Sequence, residues 1–169
     1  FYSMYCAKLL RDAQGRPTGL GQALLLSNPG SANTCGFFHP TEPWRVIFGS
    51  TITPPATDQH AGFQVGTRKY VWLFPQETEV VTRVVPQVYA DLHPGQDRAW
   101  AQADLKTVPV FSRPDYDAEC SYSKDGRFIL YAHVREGAKT EGRADADIWV
   151  YDTRTREQHA LVTADGYDG

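Results

Sequence analysis

Apolar and polar residues alternate with a period of two along most of the chain, and a helical period hardly appears. Residues 120–126, Cys-Ser-Tyr-Ser-Lys-Asp-Gly, lead into Arg127-Phe-Ile-Leu-Tyr-Ala132. Asp125-Gly126 between two β-prone runs predicts a hairpin with a tight primed turn, because Gly accepts φ > 0 freely. Residues 135–147 are polar and carry glycine, so a solvated loop is expected there. Ile148-Trp-Val-Tyr151 is the next strand, residues 152–156 turn the chain, and residues 157–163 form a further strand. Four short antiparallel strands in sequence make a meander, which is the form of a propeller blade.

The pattern repeats. With Cys35 set against Cys120, Cys35-Gly-Phe-Phe38 matches Cys120-Ser-Tyr-Ser123, and Arg45-Val-Ile-Phe48 matches Phe128-Ile-Leu-Tyr131. The intervening turn, His39 to Trp44, is then two residues longer in the first copy. Tyr116-Asp117 recurs as Tyr167-Asp168, so units begin near 31, 116 and 167, at spacings of 85 and 51 residues. A spacing of ~40–50 residues is that of a propeller blade. The longer interval is read as one blade plus an insertion at about 53–106 in preference to two blades. Within it, residues 53–69 read as a loop, 70–85 as one or two strands, 97–106 as a short helix and 107–111 as an edge strand. Near the start, residues 1–7 and 22–26 read as strands and 12–17 as a turn.

The expected organisation is therefore the end of a blade over 1–30, an enlarged blade over 31–115, a regular blade over 116–165 and the entry to another over 166–169. That is an all-β partial propeller of about two and a half four-stranded blades. A closed propeller needs at least four blades of ~40–45 residues, so the chain is expected to be part of a longer ring or completed by another chain.

Tyr116-Asp-Ala-Glu-Cys-Ser-Tyr-Ser-Lys-Asp-Gly-Arg-Phe-Ile-Leu-Tyr131, followed by Ala146-Asp-Ile-Trp-Val-Tyr-Asp152, resembles the repeat of TolB-like β-propellers. In that repeat an inner strand runs through Ser-Pro-Asp-Gly to an apolar strand, then to a strand of the type Asp-Ile-Tyr-Val-Met-Asp and a Leu-Thr ending. Lys124 stands where the family usually has Pro, and Val162-Thr163 replaces Leu-Thr. The likeness is good over 116–169, fair over 31–52 and faint elsewhere. It implies docking of other proteins, or of the remaining blades, in the periplasm or at the surface of a bacterium. The resemblance also admits a second role, as the propeller accessory to a prolyl-oligopeptidase-like hydrolase domain.

Composition narrows the function classes. The chain has 169 residues, 41% hydrophobic and 12% aromatic, which excludes a disordered chain. Its net charge of −3 gives no general attraction to nucleic acid. No apolar run is long enough for a membrane-spanning helix. Cys6, Cys35 and Cys120 are a sparse, odd set that reads as free thiols, with one disulfide as the alternative and no pair favoured.

No nucleophile elbow, zinc-binding helix motif or phosphate loop is present, so no catalytic residue and no organic cofactor is assigned. The five histidines lack ligand spacing. Asp115, Asp117 and Glu119 alternate ahead of an inner strand, and in an extended segment they would share one side, as Ca²⁺ would require. The plainer reading is that they cap turns. For partner contact the candidates are Trp44, His60, Phe63, Trp100, Tyr116 and Tyr167, at turns, in the insertion or at blade entries. Trp72 and Trp149 lie inside strand runs and are expected to pack.

Overall fold

The computed structural model describes residues 2–56, 62–85, 107–140 and 143–168, and within them the protein is all-β, with no helix. Strands β1 (Tyr5–Cys6), β2 (Leu9–Arg11), β3 (Pro17–Leu20) and β4 (Leu24–Leu25) open the chain; β1 pairs with β4 and β2 with β3. The β2–β3 turn is tied by Asp12, whose Oδ1 accepts from the backbone N–H of Gln14 and Arg16 at 2.9 Å each. The chain continues through β5 (Asn33–Phe38), β6 (Arg45–Ser50), a separate hairpin of β7 (Gly62–Gln64) and β8 (Lys69–Val71), then β9 (Glu79–Val84) and β10 (Val108–Pro109). It ends with β11 (Tyr116–Tyr122), β12 (Phe128–Thr140), β13 (Arg143–Asp152) and β14 (Gln158–Val162).

Two four-stranded antiparallel sheets dominate, in the orders β5-β6-β9-β10 and β11-β12-β13-β14. Pro109, which has no N–H to donate, lies in the edge strand β10, where only one side of the ladder needs bonds. The first sheet is covered on both faces. Val46, Phe48, Val81 and Val85 bury with Leu24 and Leu26 of the opening segment. Ile47 and Val80, on the alternate positions, bury with Cys120, Ile129, Tyr131 and Tyr151 of the second sheet. At Gly49 the two sheets come so close that a Cβ would lie 2.7 Å from the Ala118 Cβ. On the far face of the second sheet Leu130 is exposed and Val150, its cross-strand partner, is half-buried.

Several sequence expectations change. The described residues of 135–147 are strand and not loop: β12 runs to Thr140 and β13 starts at Arg143, and the two pair with a register shift between Val134 and Lys139. Burial accounts for the base of this ladder, where Val134, Ala146 and Asp147 are buried, while Arg135, Glu136 and Gly137 stay exposed as their composition implies. The Asp125-Gly126 turn is also not a primed one, since only Gly126 is left-handed, at φ 74°. Gly126 N–H bonds the Ser123 carbonyl, and Asp125 Oδ1 accepts from Ser123 Oγ and the Arg127 N–H. The His39 ring from the equivalent turn of the first sheet packs on Tyr122 at 4.5 Å, so the two hairpin tips lie side by side.

The repeat register shifts by one. Thr34 pairs with Gly49 and Gly36 with Phe48, leaving Cys35 as a bulge at φ 23°. Ala118 pairs with Ala132 and Ser121 with Leu130, and the left-handed residue of that bulge is Glu119, at φ 55°. Cys35 therefore corresponds to Glu119 and not to Cys120, and the first turn is one residue longer rather than two. None of the three cysteines forms a disulfide; Cys120 is buried and Cys35 exposed. Burial raises the thiols of Cys6 and Cys120 to about 11 and about 12. The helix expected over 97–106 lies outside the described residues.

Candidate functional site

Two clusters of polar and aromatic side chains form where the edge strands β5 and β11 begin. The first is closed. Asp117 of β11 is fully buried and its cross-strand partner is His133 of β12. His133 Nδ1 donates to Asp117 Oδ1 at 2.7 Å. Arg113 Nη2 lies 2.8 Å from His133 Nε2, and because a guanidinium only donates, Nε2 must accept and carries no proton. Arg113 also donates to Tyr131 Oη and Gln158 Oε1, stands 3.5 Å from Asp117 Oδ2, and lies 4.2 Å from the Trp149 ring centroid. Burial raises the Asp117 carboxyl above the usual carboxylate range, against the lowering effect of His133 and Arg113. Burial likewise raises Glu79, which accepts from Ser112 Oγ and faces the Asp117 charge. Both His133 nitrogens are occupied, so this imidazole is not open to act as a base on a ligand; the cluster pins β11 to β12 and β14.

Asp115, Asp117 and Glu119 do not converge: Asp115 and Asp117 both approach His133, Asp115 Oδ2 at 4.0 Å from Nε2, while Glu119 lies apart with Tyr167. Asp115 and Glu119 are left-handed, at φ 80° and 55°, on either side of Asp117, and that breaks the alternation an extended segment would keep. Asp115 accepts from the Glu136 N–H, Asp117 turns to His133, and Glu119 accepts from Tyr167 Oη at 2.8 Å. Among the described residues no group of three or more His, Cys, Asp or Glu side chains is placed to hold a metal ion.

The second cluster is open. A groove of about 260 Å³ runs between residues 2–4, the start of β5 at 32–35, residues 70–75, and Tyr116 and Glu119 of β11. Its walls are aromatic. Tyr70 and Trp72 meet at a tilt of 50° with centroids 4.7 Å apart, and Phe74 meets Tyr116 edge-on at 5.1 Å and Tyr167 at 6.1 Å. The hydroxyls of Tyr70 and Tyr2 are hydrogen-bonded, which raises Tyr70. Burial raises Tyr116 and Tyr167, and the negative charge of Glu119 raises both further. Tyr2, Phe63, Trp72 and Tyr167 stay 61%, 60%, 67% and 42% exposed, an aromatic patch of the kind that marks contact surfaces. Left-handed backbone at a non-glycine residue costs about 1–3 kcal/mol, and here it falls on the two bulge residues that line the groove, Cys35 and Glu119.

Of the residues singled out by sequence, Tyr116 and Tyr167 are brought together at this groove with Glu119, and Phe63 is exposed on the neighbouring hairpin. Trp44 is elsewhere: it packs half-buried against the core under Leu24 and Val46. His60 and Trp100 lie outside the described residues. Trp149 packs against the core beside Arg113, whereas Trp72, expected inside a strand, lies past the end of β8 and is exposed. Sequence reading missed Tyr2, Tyr70 and Phe74; the signal available was the density of aromatic residues over 70–74.

No family model matches this chain, and no curated protein matches it. Among the described residues no helix is long and apolar enough to cross a membrane.

Proposed function

We propose that this chain is a non-catalytic binding or scaffold module built on propeller-type blades, with the aromatic groove at 2–4, 70–75 and 116–119 as its contact surface. The observation that carries the reading is the groove itself. Exposed aromatic rings from the opening segment and the insertion converge on the entry of β11, where a partner would meet a rigid double sheet. Supporting the propeller part are two four-stranded meanders stacked face to face, with a bulge at the same place in the edge strands β5 and β11. The far face of the second sheet, with Leu130 exposed, would take a further blade from the same protein or from a partner. The engagement of both nitrogens of His133 supports a role without chemistry of its own. Resemblance to TolB-like propellers is consistent with docking to protein in an envelope compartment.

The test is selection of peptides from a random display library on the immobilised chain, repeated with a Tyr70→Ser/Trp72→Ser variant whose fold is checked by circular dichroism. Peptides that bind the native chain and lose binding to the variant uphold the reading. Absence of enriched peptides, or equal binding to both chains, overturns it.

A further inference from the structure

Among the described residues that line the groove, Glu119 is the one charged side chain, and none is lysine or arginine. Among the described residues the bonded partner of its carboxylate is the Tyr167 hydroxyl, a neutral donor, so the negative charge is not cancelled. Around it stand the rings of Tyr116 and Tyr167, both close enough that the carboxylate raises their hydroxyls, and beyond them Phe74 and the tilted Tyr70–Trp72 pair. Aromatic faces attract organic cations through their quadrupole, and a carboxylate at the end of such a trough adds a charge-assisted hydrogen bond.

Resting on the binding role given above, we propose that the groove takes a basic side chain, lysine or arginine, presented by an extended segment of a partner protein. Charge complementarity selects the cation. The shape selects a chain over a free ion: Phe63, the cross-strand partner of groove residue Tyr70, is exposed beside the groove, apolar surface that an isolated ammonium ion would leave uncovered. The aliphatic stem of the side chain lies along Trp72 and Phe74, and its charged end meets Glu119. The left-handed bulge fixes Glu119 there, and Tyr167 orients its carboxylate.

The test uses the peptides enriched by the native chain. Their groove-dependent sequences are expected to carry a lysine or arginine, and replacing it with norleucine should weaken binding at least tenfold. Glu119→Gln, which keeps side-chain length and a hydrogen-bonding group, should weaken the basic peptide similarly and leave the norleucine peptide unchanged. Tetramethylammonium chloride, compared with sodium chloride at equal ionic strength, should compete only weakly. Groove-dependent peptides without a basic residue, or indifference to Glu119→Gln, would overturn the cation while leaving the binding surface standing. Tetramethylammonium binding as tight as the peptide's would overturn the partner segment in favour of a free cation. If no peptide depends on Tyr70 and Trp72, the surface itself is rejected and this inference with it.

Discussion

Replacing Arg113 with methionine removes the guanidinium that faces Asp117 and His133 while keeping an apolar stem against Trp149. Asp117 is fully buried, so its charge is left with the His133 N–H and little else. Removing one member of a buried ion pair ordinarily costs about 3–5 kcal/mol, and the lost bonds to Tyr131 and Gln158 belong to the same loss. The cost should depend on pH in a definite direction. Burial already holds the Asp117 carboxyl above its usual range, and taking away the guanidinium, which lowers it, raises it further. A raised carboxyl binds its proton more readily in the native state than in the unfolded one. Stability of the variant is therefore gained as pH falls through the raised value and lost as pH rises. Urea denaturation of the native chain and the variant at pH 7.5 and pH 5 reads the difference. The gap is expected to be about 3–5 kcal/mol at the higher pH and smaller at the lower. The double variant Arg113→Met/Asp117→Asn, with neither charge, should recover a large part of it. A gap below about 1 kcal/mol at pH 7.5, an equal gap at both pH values, or a double variant worse than the single would refute the reasoning.

Two further effects are expected. Gly49→Ala places a Cβ 2.8 Å from Thr34 Cγ2 and 2.7 Å from the Ala118 Cβ, which is fixed to its backbone and cannot swing away. It should cost about 1–3 kcal/mol in a chemical melt, and Ala118→Gly should restore part of that if the two sheets meet there. Asp152 is held at about 2, chiefly by its hydrogen bonds from Arg127. Because its folded value is depressed, its contribution is present above an ordinary carboxylate value near 4 and is lost as pH falls toward 2. Melting temperature should thus fall less steeply over that range in Asp152→Asn than in the native chain, and equal slopes would count against the pairing.

How far the sequence reaches is visible in particular residues. Asp125-Gly126 and the flanking alternation mark the β11–β12 hairpin, because turn chemistry and strand period are both local. The end of that hairpin is not marked. Whether Ala144, Ala146 and Asp147 lie in a loop or a strand depends on whether Val134 and its neighbours bury them, and that is decided by packing across the sheet. The one-residue displacement at Cys35 has the same origin, since a bulge leaves the side-chain types unchanged and alters only their pairing. At the groove, the recurrence of Tyr-Asp at 116 and 167 points to the right pair of rings. Tyr2, Tyr70 and Phe74 join them from segments far apart in the chain, which no local period encodes. The three alternating carboxylates mislead for a simple reason: spacing predicts a shared side only while the backbone stays extended, and two of the three are left-handed.

Binding is expected at the aromatic groove rather than elsewhere on the stacked sheets. Amide chemical-shift mapping of the isotope-labelled chain with the tightest selected peptide tests it directly. The shifts should cluster in residues 2–4, 32–35, 70–75 and 116–119. Shifts clustered instead around Leu130 and Val150 on the far face of the second sheet, or along β14, would contradict it.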